Sequence, residues 1–391
     1  MSSTLGLPEL PFFGFPAAGH TIPSLALVRA LVAHGLQVVY HGSERFRGLI
    51  EETGARVIAY SAEADERLAR PADLADHLAT VAEVGTTLAP ALLPGSAGAP
   101  LVIFDGSATW GLDVARRLGV PGVASITTFA FTQGMLRLLG AGAWPACEGA
   151  IVRGDLKVVY TSRELQPGGR YFDDSFVFVG PDVDERPELG PRVEPTSERP
   201  LAYISLGTIF NSNRNLLRQC AAALGEAGFE VVVSLGDTTA TVDGDWPAGT
   251  RVYPLVGQCH ILRRTALFVT HAGLNSASEA LALGVPLIAI PQEVDQYVVA
   301  RRVAGLGAAV VVDRDTATPR TILEAARRIQ AERAAFDRAA SAIGRTLSEA
   351  TPIETAAQRI LELASCGGAG PRATSNPEHL GQRSRARGDE P

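Results

Sequence analysis

A dense cluster of polar side chains in the second half of the chain combines residue types that bind phosphate and sugar groups. Residues 270–279 are THAGLNSASE; they end a short apolar run that predicts a strand and open a segment that predicts a helix. The free N–H groups at a helix N-terminus, and the positive end of its dipole, favour a phosphate there. We therefore predict a phosphate site in which His271 donates, Gly273 allows close backbone approach and Glu279 accepts from ribose hydroxyls. An ordinary Asn and Ser helix cap beside a core histidine is the structural alternative.

An Asp-Gln pair follows the next predicted strand along the chain. That strand spans residues 286–290, and Asp295 and Gln296 come shortly after its end. Carboxylate and amide side chains can hydrogen-bond vicinal sugar hydroxyls. An acidic residue at this place would also complement a helix dipole without binding any ligand.

A histidine and an aspartate in the first half of the chain form a candidate acid–base pair. His20 follows a predicted strand on a Pro-Ala-Ala-Gly loop, and Asp105 ends another predicted strand. A neutral imidazole near physiological pH can take the proton of a hydroxyl group. A carboxylate beside it would fix the tautomer and stabilise the imidazolium that forms. The pair predicts a general base, His20, assisted by Asp105, whereas a histidine without such a partner more often lies in the core or at the surface.

The elements that would position these side chains form two similar sets. Short apolar runs alternate with longer helical patterns, which is typical of parallel strands covered on both faces by helices. The predicted strands are 11–15, 37–40, 56–60, 101–105 and 123–127, then 201–206, 230–235, 251–255, 267–270, 286–290 and 308–312. Because the carboxyl ends of strands in such sheets face the ligand crevice, we predict an α/β fold of two doubly wound Rossmann-like domains facing a cleft.

Local composition predicts the domain boundaries. Residues 181–200 hold five prolines and six acidic residues, a composition typical of a linker. We predict a first domain over residues 1–182, a linker over 183–200 and a second domain over 201–365. Residues 366–391 are rich in Gly, Pro, Arg and Ser, and we expect a disordered tail there.

The overall composition excludes several classes of protein. The chain has 391 residues, of which 46% are hydrophobic and 20% charged, and this is typical of a globular protein with a large core. A net charge of −7 argues against a nucleic-acid-binding protein. No apolar stretch approaches the roughly 18 residues of a spanning helix, and no signal segment is evident. The four cysteines form no CxxC pair. We expect a cytoplasmic protein with neither a membrane span nor a nucleic acid partner.

Several motifs of this chain occur together in one known family. His-x-Gly-x-Asn-Ser-x-x-Glu at 271–279 is followed by Gly-Val-Pro at 284–286 and by Pro-x-x-x-Asp-Gln at 291–296. Together they resemble the donor signature of the family 1 glycosyltransferases, in particular the bacterial macrolide and natural-product branch. Three further segments resemble the phosphate-contacting loop, the catalytic loop and the acid-partner segment of that family, and they are Ser-Leu-Gly-Thr at 205–208, Gly-His-x-x-Pro at 19–23 and Phe-Asp at 104–105.

The resemblance implies an inverting, metal-independent enzyme of the GT-B fold. Its first domain would bind the acceptor, and its second would bind a nucleoside diphosphate sugar as co-substrate, with no cofactor. The donor would carry UDP or dTDP. The implied substrate-binding residues are Thr208, Leu255, Val256, Gln258, His271, Gly273, Asn275, Ser276, Glu279, Asp295 and Gln296.

The segment that would contact the nucleobase departs from the family pattern. Gln258 falls where the family has the glutamine of its Trp-x-Pro-Gln segment, so Leu255 stands where an aromatic ring would stack on the base. Leucine gives apolar contact without ring stacking. Tyr253, two residues earlier, is an alternative base contact.

The predicted reaction moves a hexose to a hydroxyl of an apolar natural product such as a polyketide or macrolide. The protein would act as a monomer or homodimer, with Phe129, Phe131, Met135 and Trp144 as candidate acceptor-wall residues. Two alternatives remain open: a non-catalytic helper that binds sugar nucleotide, and a sugar-nucleotide epimerase that acts on the donor alone. Neither alternative requires a His–Asp pair on the acceptor side.

Overall fold

Two all-parallel sheets form the framework of the molecule. The computed structural model describes residues 9–69, 74–131, 153–208, 213–236, 240–242, 244–292 and 294–366. The first sheet has seven strands in the order β3-β2-β1-β4-β5-β6-β7, and the second has six in the order β10-β9-β8-β11-β12-β13. The first sheet comprises β1 (Glu9–Phe13), β2 (Gln37–Gly42), β3 (Arg56–Ala59), β4 (Val102–Asp105), β5 (Gly122–Ile126), β6 (Leu156–Val159) and β7 (Phe176–Phe178). The second comprises β8 (Leu201–Ser205), β9 (Glu230–Ser234), β10 (Thr250–Tyr253), β11 (Thr265–Thr270), β12 (Leu287–Ala289) and β13 (Ala309–Val311).

Helices connect the strands and cover the sheets. Those of the first unit are α1 (Ala18–Ala33), α2 (Arg47–Glu51), α3 (Ala62–Ala69), α4 (Leu74–Leu92) and α5 (Trp110–Leu118). Those that follow are α6 (Arg214–Glu226), α7 (Gln258–Leu262), α8 (Leu274–Ala282), α9 (Val294–Gly305), α10 (Pro319–Ala331), α11 (Arg333–Ser348) and α12 (Ile353–Cys366). None of the helices in the described ranges is both long and apolar enough to cross a lipid bilayer.

The strand order of both sheets is that of a doubly wound Rossmann-like fold. The predicted fold class is therefore confirmed, and all eleven predicted strands overlap observed ones. Strands β6 and β7 were not predicted, because each is a run of only three or four residues bounded by polar loops. All of their residues except Lys157 are nevertheless buried, since the two strands extend the first sheet beyond β5.

The last helix departs from the predicted domain boundary. Residues 201–365 were assigned to the second unit, but Ala356, Ala357 and Ile360 of α12 are buried in a core cluster with α1 and the first sheet. The backbone N–H of Thr351 donates to the carbonyl of Phe178, at 3.0 Å, where the chain crosses back. An amphipathic pattern shows that a helix buries one face but not which sheet it packs on. We expected the disordered tail over residues 366–391; Cys366 is instead the last residue of α12, and residues 367–391 lie outside the described residues.

Candidate active site

The strand order reverses at one point in each sheet. The candidate site is formed by residues from both of these switch points. In the first sheet β1 pairs with β4, and in the second β8 pairs with β11. The connections that leave these strands diverge to opposite faces, which opens a crevice at their carboxyl ends. His20 and Asp105 lie at the first switch point, and Thr208 and His271 lie at the second.

His20 is held by two groups at one of its ring nitrogens. Its Nδ1 lies 3.0 and 3.1 Å from the two carboxylate oxygens of Asp105 and 3.0 Å from Oγ1 of Thr127. Asp105 is 2% exposed, and the backbone N–H of Ser107 donates to its Oδ1 at 2.8 Å. This arrangement places the proton of neutral His20 on Nδ1 and leaves Nε2 as the acceptor.

The charges around His20 raise its affinity for a proton. Burial lowers the pKa of His20, but the charge of Asp105, its hydrogen bond and the charge of Asp295 raise it, so the pKa lies above its ordinary value. Burial raises the pKa of Asp295, which the backbone N–H groups of Asp295 and Gln296 and the charge of His20 lower in part. His20 and Asp295 therefore influence each other across the cleft, although they belong to different domains.

A proline in α1 explains how the two domains meet beside His20. Helix α1 begins at Ala18, so Pro23 lies inside it. Proline has no N–H, and the carbonyl of Gly19, four residues earlier, therefore lacks its helical donor. The side-chain amide of Asn275, in the first turn of α8, donates to that carbonyl at 2.6 Å. Asn275 thus ties α8 of the second domain to the first turn of α1, which carries His20.

His271 lies between two glycines that leave room for its ring. A Cβ at Gly207, where φ is +87°, would stand 2.8 Å from the ring, and one at Gly273 would stand 2.5 Å from Nε2. Ala272, between His271 and Gly273 in the chain, has a φ of 62°, in the left-handed region. Its N–H donates to Oγ1 of Thr270 at 3.2 Å. Burial lowers the pKa of His271 to about 4. The imidazole is therefore neutral at physiological pH, so its ring N–H is a donor that carries no charge.

The start of α8 offers backbone donors to the cleft. Its N-cap residue is Gly273, and no described side chain caps the helix. The first N–H groups of the helix consequently lack intrahelical acceptors and suit an anion.

A buried carboxylate lies one turn further along α8. Glu279 is 3% exposed, and the side-chain amide of Gln258 donates to its Oε2 at 2.6 Å and contacts Oγ of Ser276 at 3.2 Å. Nε of Arg186, a residue of the linker, lies 2.8 Å from Oε1 of Glu279. Burial raises the pKa of Glu279, and Arg186 and Gln258 lower it in part.

These groups surround one cavity of about 270 Å³ between the two domains. His20 and Thr127 line it from the first domain, while Asp105 lies buried behind His20. Every predicted substrate-binding residue lines it from the second domain, namely Thr208, Leu255, Val256, Gln258, His271, Gly273, Asn275, Ser276, Glu279, Asp295 and Gln296. Gln296 also accepts through Oε1 from the backbone N–H of Gln292 at 2.8 Å, which closes the first turn of α9.

Comparison with known proteins decides the family. The model of the erythromycin biosynthesis protein CIII-like C-terminal domain matches residues 218–363. The NDP-glycosyltransferase YjiC of Bacillus licheniformis is 30% identical over 353 residues, which cover 82% of this chain and 89% of that relative. The oleandomycin glycosyltransferase of Streptomyces antibioticus is 29% identical over 374 residues, covering 83% and 87%. The crystal structure of the glycotransferase of kitacinnamycin superposes with a TM-score of 0.79 at 23% identity, covering 92% of this chain and 99% of that one.

The chain belongs to the family 1 glycosyltransferases. The predicted enzyme class and the GT-B architecture are confirmed, as is the bacterial macrolide and natural-product branch. The roles of individual residues in this glycosyltransferase remain predictions.

Sequence reasoning missed several residues that line the cavity of the glycosyltransferase. Thr127 and Ser234 stand at the carboxyl ends of β5 and β9, so the rule that located Asp105 would also have found them. Arg186 and Leu189 belong to the linker, where composition gave no sign of a site.

The candidate acceptor-wall residues fare differently. Phe129 and Phe131 are 1% and 6% exposed and belong to the hydrophobic core, and neither is among the residues that line the cavity between the two domains. Aromatic side chains are buried in cores for their large apolar area, which a sequence pattern cannot distinguish from a ligand wall. Met135 and Trp144 lie outside the described residues.

Proposed function

We propose that this glycosyltransferase transfers a hexose from a UDP- or dTDP-sugar to a hydroxyl of an apolar natural product, with inversion at the anomeric carbon. The observation that carries the proposal is the His20–Asp105 pair. Its geometry leaves Nε2 of His20 without a hydrogen-bond partner among the described residues, and His20 lines the same cavity as His271 and the start of α8. The name of the oleandomycin glycosyltransferase supports a macrolide-like acceptor.

His20 would act as the general base. The acceptor hydroxyl gives its proton to Nε2 while its oxygen attacks the anomeric carbon from the face opposite the diphosphate. The bond between that carbon and the diphosphate oxygen breaks, and the diphosphate leaves with the electron pair. Asp105 stabilises the imidazolium that forms and holds the ring in orientation. An α-linked donor would thus give a β-glycoside.

The second domain would stabilise the leaving group. The neutral ring of His271, the backbone N–H groups at the start of α8 and the hydroxyl of Thr208 are donors in the cavity. Fixed donors of this kind stabilise charge that develops on a departing oxygen, which would make a divalent metal unnecessary. Asp295 and Gln296 would hold the hydroxyls of the sugar, and Leu255 and Val256 would contact the base.

The decisive experiment measures nucleoside diphosphate release with and without acceptor. The purified protein is incubated in excess EDTA with UDP-glucose or dTDP-glucose, alone and with a phenol or a macrolide aglycone. We expect acceptor-dependent release and a β-glycoside by NMR. Release that stops in EDTA and returns with Mg²⁺ would refute metal independence. Isomerisation of the donor without acceptor would show that the protein is an epimerase instead. Donor binding without any turnover would show that it is a non-catalytic helper.

A further inference from the structure

The linker between the domains forms one wall of the nucleotide cavity. Arg186 and Leu189 line the cavity. A Cβ at Gly190 would stand 2.6 Å from the carbonyl carbon of Leu255, so the two backbones are in direct contact there. The backbone N–H of Gly257 donates to the carbonyl of Pro191 at 2.9 Å. These contacts fix the linker against the segment that carries Leu255 and Gln258.

Arg186 carries a positive charge into this wall. Its side chain is 15% exposed, and Nη1 lies 3.4 Å from Oε2 of Glu188 and 3.9 Å from Sγ of Cys259. Its Nε lies 2.8 Å from Oε1 of Glu279, but the N–H is not aligned for a hydrogen bond to that oxygen. Arg186 therefore acts on Glu279 through its charge, and Oε1 keeps a lone pair that a sugar hydroxyl can use.

A buried carboxylate without compensation is costly. The side chain of Glu279 is 5% exposed, so removing a partner would leave a charge that water cannot solvate. For the same reason, a site that hydrogen-bonds a substrate hydroxyl binds an analogue without that hydroxyl weakly, because the polar group of the site is then left unpaired. The charge of Arg186 remains beside Glu279 whether or not a ribose hydroxyl is present.

We propose that Arg186 determines nucleotide choice, by compensating Glu279 when the donor carries 2′-deoxyribose and so admitting dTDP-sugars beside UDP-sugars. This inference rests on the proposed function, because it assigns the ribose to Glu279. It concerns the donor alone and is independent of the acceptor and of His20. Arg186 is a specificity residue here, not a catalytic one.

Calorimetry with UDP, dUDP and TDP at pH 8 tests the proposal. UDP and dUDP differ only in the 2′-hydroxyl, while dUDP and TDP differ only in the 5-methyl group of the base. In the wild type we expect the dUDP and UDP dissociation constants to lie within roughly tenfold of each other, the value of about one net hydrogen bond. In Arg186→Met the ratio of the dUDP dissociation constant to that of UDP should rise by a further factor of roughly 5 to 100, because no cation then lies beside Glu279 and only Gln258 still donates to it when the 2′-hydroxyl is missing. The ratio of the TDP dissociation constant to that of dUDP should not change.

Three variants separate this role from a structural one. Arg186→Lys keeps a charge and should keep the wild-type ratio, and Arg186→Gln should shift it as the Met variant does, which covers a Met variant that fails to fold. Arg263 also contacts the linker, donating to the carbonyl of Val183 at 2.8 Å, but it does not line the cavity. Arg263→Met is therefore the matched control and should leave the ratio unchanged.

The outcomes are distinct. If Arg186→Met and Arg186→Gln weaken UDP and dUDP equally, Arg186 only holds the linker in place and the inference is wrong. Adding Glu279→Gln to Arg186→Met should return the ratio towards the wild type, because no buried charge remains; a ratio that stays raised would also refute the inference. If the wild type binds none of the three nucleotides, the proposed function fails instead.

Discussion

One histidine lies at the switch point of each sheet, yet the surroundings of the two side chains are opposite. His20 follows β1 and has a carboxylate at Nδ1, and its pKa is raised. His271 follows β11 and lies between Gly207 and Gly273; burial alone lowers its pKa, to about 4. The fold brings both side chains to the cleft, and the neighbours of each decide which chemistry it can perform.

Under the proposed mechanism, this difference suits the two histidines to different tasks. A general base must gain a proton during the reaction, and Asp105 stabilises the charged ring that results. A group that binds the diphosphate does not need to change its own charge during the reaction. A buried, neutral ring held in one orientation can serve as a fixed hydrogen-bond donor. The comparison therefore predicts that the two histidines fail in different assays when they are replaced.

The largest effect is expected at His20. His20→Ala should lower kcat by roughly 10²- to 10⁴-fold with an alcohol acceptor, the usual contribution of a general base. The dissociation constant for UDP should stay within about twofold of the wild type, because the nucleotide contacts the other domain. His34→Ala is the matched control, since His34 is the C-cap of the same helix and, within the described part of the chain, its Nδ1 hydrogen-bonds only with the carbonyl of Ala30, at 2.8 Å. A variant that keeps more than a tenth of the wild-type rate would rule out His20 as the base.

The pH profile sharpens this prediction. His20 accepts a proton only when neutral, so kcat/KM of the wild type should rise with pH through a pKa above 6.5 and then level off. In Asp105→Asn the carboxylate that raises the pKa is gone, while burial still lowers it. The acid limb should then move to lower pH as the plateau falls by roughly 10²- to 10⁴-fold. An acid limb that does not move in the variant would mean that Asp105 does not control His20.

The sequence predicted these side chains for a specific physical reason. Parallel strands deliver their carboxyl ends to one edge, so a polar residue directly after a buried run is expected at the cleft, as Asp105 and His271 are. Arg186 could not be found in this way, because an irregular linker has no periodicity that shows where it packs. The contact of Asn275 with Gly19 likewise depends on how the two domains meet, which local pattern does not encode.

A smaller effect is expected when His271 is replaced. It should appear in the affinity for the nucleotide and not only in the turnover rate. His271→Ala should weaken UDP by roughly 10- to 100-fold, the value of a hydrogen bond to a charged group, while uridine binding stays unchanged. Gly207→Ala should act in the same direction, since its Cβ would stand 2.8 Å from the His271 ring at a φ of +87°.

Gly225→Ala is the control for the glycine variant, because a Cβ there would have no atom within 4 Å. In His20→Ala, where His271 is the remaining imidazole in the cavity, affinity for UDP should also be flat between about pH 7 and 8.5, because a group with a pKa of about 4 does not titrate there. Affinity that falls steadily as pH rises through this range would show that a charged imidazole is needed, and the contrast with His20 would then be lost.

The smallest effect concerns the base contact in the second domain. Leu255 lines the cavity, whereas Tyr253 is partly buried against the core and is not among the lining residues. If Leu255 faces the nucleobase, Leu255→Trp should tighten UDP and TDP by about 0.5–1.5 kcal/mol, which is roughly 2- to 10-fold, since a ring adds stacking to apolar contact. Leu255→Met, which changes shape without adding a ring, should leave both affinities within about twofold. The gain should appear in calorimetry without acceptor, because the contact lies wholly in the second domain. A folded Trp variant with unchanged affinity for both nucleotides would show that the base stands elsewhere in the cavity, and that the alignment of residues 255–258 with the family's base-binding segment is shifted.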